Sequence, residues 1–184
     1  MDLRDSEKLI LAMVCEIHTS LKLNEDGYDS NLISEALFSG NTWAIEWKYG
    51  DVLGFKSNEP PHSVSEVCNI LEMWEFLEEG FNELSVKDKR ALELAASPFG
   101  REVYFRGFDG NNETEYMSIA RFLIQKMDLF QHFAGRDLNS HMPSMASYLR
   151  MYAIFKPWRD DYPGRPLNLA ELTEILQARI LPKQ

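Results

Sequence analysis

Apolar residues recur along this chain three and four positions apart, the period that gathers them on one face of an α-helix. Leu9, Ile10, Met13, Val14, Ile17 and Leu21 form the first such stripe and predict a helix over residues 6–23 with that stripe buried. Residues 24–29 are polar with one glycine and predict a turn. A shorter helix over 31–38 follows, with Ser30 placed to cap its start and Gly40 to stop it. In 42–49, Trp43, Ile45, Trp47 and Tyr49 alternate as in a strand, while Trp43, Ala44 and Trp47 fit a helical face. No partner strand is near, so a short helix is the better reading.

Residues 50–61 read as a loop closed by Pro60 and Pro61. Ser63 and Glu66 then have the spacing of a capping box, opening a helix to about residue 84. Val67, Ile70, Leu71, Trp74, Leu77 and Phe81 mark its apolar face, and Glu72, Glu75, Glu79 and Glu83 its polar side. Ser85 and Asp88 repeat the start signal for a helix to about residue 96. An extended, aromatic stretch over 103–108 leads through a turn at 109–112 into a helix over 113–130, with Tyr116, Ile119, Ala120, Leu123, Met127 and Phe130 inward. Residues 133–142 read as a polar loop, and Pro143 as the first residue of a helix carrying Met145, Leu149, Tyr152 and Phe155 up to Pro157. A proline- and glycine-rich link over 160–166 precedes a last helix, capped by Asn168 and Glu171, whose stripe is Leu169, Leu172, Ile175, Leu176 and Ile180. The fold predicted is all-α: one domain over 1–184, seven or eight helices, and no significant sheet.

Composition agrees with a packed core. A chain of 184 residues, 45% hydrophobic and 12% aromatic, is long enough to bury roughly 70% of its unfolded surface. Its 19 basic and 29 acidic residues leave a net charge of −10, which disfavours duplex DNA and anionic membranes but leaves room for a local basic pocket. Two cysteines, Cys15 and Cys68, lie within apolar helical patterns and read as small buried hydrophobes of a reducing compartment. The N-terminus lacks a basic segment followed by an apolar core, and the run over 9–15 is far short of a membrane span of about 20 residues. The location expected is the cytoplasm.

Four segments carry a resemblance: Asn41-Thr-Trp-Ala-Ile-Glu-Trp-Lys-Tyr-Gly50, Val67-Cys-Asn-Ile-Leu-Glu-Met-Trp-Glu-Phe-Leu77, Phe105-Arg-Gly-Phe-Asp-Gly-Asn-Asn-Glu113 and Arg136-Asp-Leu-Asn-Ser-His-Met-Pro143. In that order and spacing the chain resembles the YfbU family of bacterial and archaeal proteins over residues 9–176. The resemblance implies a helical, cytoplasmic domain and assigns no reaction. In some relatives such a domain is similar to a module joined to a DNA-binding helix-turn-helix, which implies a sensing role.

Familiar catalytic signatures are missing from the sequence: it has no glycine-rich phosphate loop, nucleophile elbow or zinc-binding His-Glu-x-x-His. Glu59 and His62 have the spacing of a ferritin-like ligand pair, but Pro60 and Pro61 between them exclude that geometry. Asp109, Asn111 and Glu113 imitate calcium ligands, yet the glycine such a loop needs falls at Thr114, so they read as caps. Cys15 and His18 make half a metal site without a second pair; no metal or other cofactor is expected. Trp43, Trp47 and Tyr49 beside a polar loop are candidates for an interface, with core packing the alternative.

Arg136, Asp137, Asn139 and His141 crowd four polar side chains into six positions ahead of a helix. Arg136 and His141 resemble, in spacing, the Arg-x4-His motif of HEPN ribonucleases, in which the histidine moves a proton and the arginine stabilises phosphate charge. The structural alternative pairs Arg136 with Asp137 and turns Asn139 and His141 toward backbone at the helix entry. Arg136 and His141 are expected to line one polar pocket with Arg106, Asp109 and Asn111 from the neighbouring loop, and Asp137 and Asn139 are further candidates for ligand binding. The favoured reading is a non-enzymatic helical domain that binds a small anionic ligand or a protein partner and self-associates. A metal-independent ribonuclease using Arg136 and His141, with RNA as its substrate, is the second reading, and a purely structural protein the third.

Overall fold

The computed structural model describes residues 3–23, 27–55, 59–161 and 164–180, which carry eight α-helices and one 3-10 turn. The helices are α1 (Asp5–Ser20), α2 (Ser30–Ser39), α3 (Trp43–Leu53), α4 (His62–Glu83), α5 (Val86–Ala95), α6 (Thr114–Gln125), α7 (Met145–Asp160) and α8 (Leu169–Gln177). The only β-type pairing among the described residues is one parallel bridge, Phe108 to Asn139. The all-α expectation holds. The predicted turn at 24–29, loop at 50–61 and link at 160–166 lie partly outside the described residues.

The longest helix, α4, organises the core. Its Val67, Ile70, Leu71, Trp74 and Leu77 are fully buried, as the stripe predicts, and α6, α7 and α8 pack around it. Gly80 lets the chain ahead of α8 come close: a Cβ there would stand 2.8 Å from the Leu167 carbonyl oxygen. Trp74, Phe105, Phe108, Phe133 and Tyr148 gather in edge-on and tilted pairs with ring centroids 5.2 to 6.0 Å apart. This aromatic cluster joins α4 and α7 to the extended stretch 103–108, and Tyr148 Oη donates to the Gly107 carbonyl at 3.1 Å.

Several boundaries differ from the expectation for identifiable reasons. Asp29, not Ser30, caps α2, accepting from Leu32 N–H at 3.0 Å. Residues 42–49 are helical, and α3 continues through Gly50 to Leu53, where Gly54 takes a left-handed φ of 63°. The Ser63–Glu66 box does not form; α4 begins at His62 with Pro61 as its N-cap, two residues earlier than that box implies, and the Glu66 carboxylate accepts from Tyr116 Oη instead. Helix α6 ends at Gln125 rather than at 130, because the Gln131 side chain and Leu129 N–H take up the Ile124 and Leu123 carbonyls. Pro143 stands outside α7, whose N-cap is Ser144. Pro157 sits inside the last turn of α7, costing one N–H donor while its own carbonyl still accepts from Asp161 N–H at 3.1 Å. Tyr148 and Met151 are buried in α7, and Leu149 is 39% exposed. The Ser85 cap and the Asn168–Glu171 box form as predicted, whereas Ile180 is exposed.

The largest departure is α1. Its six-residue stripe is not buried: Leu9, Ile10, Met13, Val14, Ile17 and Leu21 are each 52% to 64% exposed. Cys15 points inward instead, with Leu11 packed against the core. No described helix is long and apolar enough to cross a membrane.

Candidate functional site

The two polar loops lie side by side. Phe108 N–H donates to the Leu138 carbonyl and Ser140 N–H to the Phe108 carbonyl, both at 3.0 Å. Gly107 makes this approach possible. Its φ is +88°, and a Cβ there would fall 2.0 Å from the Leu138 carbonyl oxygen. Asn139 Oδ1 accepts from Gly110 N–H and from His141 N–H, each at 3.0 Å, tying one loop to the other.

Most of the acidic and amide side chains singled out from sequence are engaged in building these turns. Asp109 accepts from Asn112 Nδ2 and from Asn111 N–H, and these bonds, Asn112 first, hold its carboxyl below the usual range. Asp137 accepts from Asn139 N–H at 3.0 Å and does not pair with Arg136 as the structural alternative expected. Asn111 and His141 are exposed at the surface of their loops. Glu113 is the pin of the arrangement: its buried carboxylate accepts from Asp109, Ser144 and Met145 N–H groups and from Ser144 Oγ, at 2.7 to 2.9 Å. It thereby caps α7 from the neighbouring loop, which places negative charge at the positive end of that helix.

Arg136 is held elsewhere. Its Nη1 and Nη2 each lie 2.8 Å from an oxygen of Glu78, which also meets His132 Nε2 at 2.6 Å and accepts from Phe105 N–H at 2.7 Å. Burial pushes the Glu78 carboxyl up, but the donors, led by Arg136, outweigh it and leave the group below the ordinary glutamate value. Glu78 was not foreseen as a site residue. The available signal was its position four residues after Trp74, on the buried face of α4.

A concavity adjoins these loops. A groove of about 640 Å³ is bounded by residues around Phe99, by Ser140 and Met142, and by the start of α7. Four arginines line it, Arg101, Arg106, Arg150 and Arg179, against one carboxylate, Glu102. Arg179 stacks over Phe99 with its guanidinium carbon 4.2 Å from the ring centroid. Burial lowers its pKa, and the charge of Arg106 acts in the same direction. Arg150 donates to the carbonyls of Ala146, Ala178 and Arg179 at 3.0 to 3.1 Å. Arg106 meets Glu102 at 3.3 Å and lies over Tyr104. Among the described residues, neither Arg150 nor Arg179 has a carboxylate partner. Positive charge is thus concentrated in one cleft of a protein whose net charge is −10.

Of the aromatic candidates, Trp43 and Tyr49 are buried, while Trp47 is 48% exposed. Trp43 Nε1 donates to Asn41 Oδ1 at 3.0 Å, and Tyr49 Oη accepts from Asp29 N–H at 2.8 Å. His18 Nδ1 is 3.3 Å from Ser30 Oγ. No group of three or more metal-ligating side chains occurs among the described residues.

The model of the YfbU domain matches residues 1–178. The UPF0304 protein MJECS11 of Methanocaldococcus jannaschii is 31% identical over 179 residues, covering 94% of this chain and 97% of that protein.

Proposed function

The chain belongs to the YfbU family, and on that premise we propose that it is a non-enzymatic binding domain that takes a small organic anion in the arginine-lined groove. The observation that carries this reading is Arg179. A part-buried guanidinium stacked on Phe99, without a carboxylate partner among the described residues, has its charge unmatched. A phosphate or carboxylate head set among Arg106, Arg150 and Arg179 supplies the missing charge, and charge-assisted bonds of this kind are the strong ones. Phe99, Met142 and Pro98 offer apolar surface for the rest of the molecule. The groove's volume falls within the range of ligand sites, about 300–1,000 Å³. In this reading Arg106 contacts the ligand, while the side chains of Asp109, Asp137 and Asn139 hold the loops that border it. Arg136, the phosphate-binding member of the ribonuclease alternative, already has its fork on Glu78, so the groove supports binding better than cleavage. The free thiols of Cys15 and Cys68 support a cytoplasmic setting.

Thermal-shift measurements with phenyl phosphate, citrate and adenosine monophosphate, each against sodium chloride at equal ionic strength, test the reading. At saturation a specific anion raises Tm by roughly 5 °C, and the Arg106→Gln/Arg179→Met double variant loses that rise. Shifts no larger than the salt control for all three anions, or a rise retained in full by the double variant, overturn it.

A further inference from the structure

We propose that two copies of this chain pair through the outward face of α1. The observation is the inversion noted above: the large apolar stripe of α1 faces solvent, while Leu11 and Cys15 face its packing partner, α2. Ile10, Val14, Ile17 and Leu21 follow one another at intervals of four, three and four, the 3.5-residue period of a seam between helices. Leu9 and Met13 flank the seam and are equally exposed. A seam of this period calls for a helix on the other side, and a second α1 provides one with the same knobs and holes.

Area and charge favour this occupant. Six side chains leaving about 100 Å² each in solvent expose roughly 600 Å² of apolar surface, at the upper end for a monomer and close to the ~800 Å² per partner of a standard interface. The chain's charge of −10 would resist self-association across most of its surface. On α1 and its flanks the charges cancel: Arg4, Lys8 and Lys22 against Asp5, Glu7 and Glu16. Two such faces meet without net repulsion. A bilayer fits less well, because an in-plane membrane helix carries a basic polar face, and this one has as many acidic groups as basic.

The test is the mass of the full chain in solution by light scattering after gel filtration. The expected result is twice the 21.3 kDa of one chain, with a Tm that rises with protein concentration. The Ile10→Lys/Ile17→Lys variant changes only exposed positions, so it keeps the helical circular dichroism of the wild type and runs as a single chain. A wild type that is monomeric at about 100 µM, a concentration generous for a specific homodimer, overturns the proposal. So does a variant that stays dimeric while folded, and so does wild-type sedimentation with phosphatidylcholine–phosphatidylglycerol vesicles in place of self-association.

Discussion

Arg136 grips Glu78 with both ends of its guanidinium, each nitrogen 2.8 Å from a carboxylate oxygen, although 58 residues separate the two in sequence. His132 and Phe105 N–H complete the shell around that carboxylate, so one buried group fixes the 3-10 turn, the extended stretch and the second polar loop onto α4.

Removing that charge is predicted to cost stability. Glu78→Gln leaves a part-buried arginine short of its counter-ion, at about 3 kcal/mol by the usual cost of breaking a buried pair. The pH dependence has a definite sign. The folded pKa of Glu78 is depressed, so its contribution is complete above the unfolded value of about 4.3 and fades as pH falls through the lower folded value. Urea unfolding at neutral pH and at about pH 3 checks this: the gap between wild type and variant should narrow in acid, and a gap of constant size would refute the assignment.

Glu113 joins two elements and is expected to matter to both. Glu113→Ala strips the N-terminus of α7 of the acceptor that serves Ser144 and Met145 N–H, a loss of about 2 kcal/mol. Hydrogen exchange at the first amides of α7 should accelerate in the variant. Unchanged protection there would mean that other groups cap the helix.

Gly107→Ala should be worse than a loop substitution ordinarily is. A side chain at φ +88° is strained, and here it also meets the Leu138 carbonyl. The expected outcome is loss of the Phe108–Leu138 and Ser140–Phe108 hydrogen bonds, read as increased exchange at both amides, with destabilisation of about 3 kcal/mol.

The thiols should be sluggish in the native state. Burial first, and then the charge of Glu72, push the Cys68 thiol up to about 11, and burial raises Cys15 as well. At pH 8 a thiol of that pKa is about one part in a thousand thiolate, and only the thiolate reacts. Ellman's reagent should therefore modify Cys68 slowly in the folded protein and both cysteines promptly in urea. Rapid native modification of Cys68 would contradict its placement.

What local pattern decides was legible in the sequence. The α4 stripe, the Ser85 cap and the Asn168–Glu171 box depend on residues a turn apart, and each appears where spacing put it. Periodicity finds a face but not what covers it, which is why α1 was read correctly as a helix and wrongly as buried on its larger stripe. Glu78 was hidden by its charge, since a glutamate on an apolar face looks like an interruption until its partner from a distant loop is known. The groove was harder still. Arg101, Arg106, Arg150 and Arg179 stand in three separate parts of the chain, and only Arg106 lay in a segment that invited attention.

Arg150 has a further consequence. An arginine that closes on a ligand ordinarily gives up rotamer freedom worth about 2 kcal/mol. Three carbonyls already fix this guanidinium between α7 and the end of α8. Its immobilisation is completed when the chain folds, so under the proposed binding mode an anion would meet a charge already in position. Capture in that mode would be governed by encounter and by the shedding of water from the cleft, with little reorganisation of the protein around this residue.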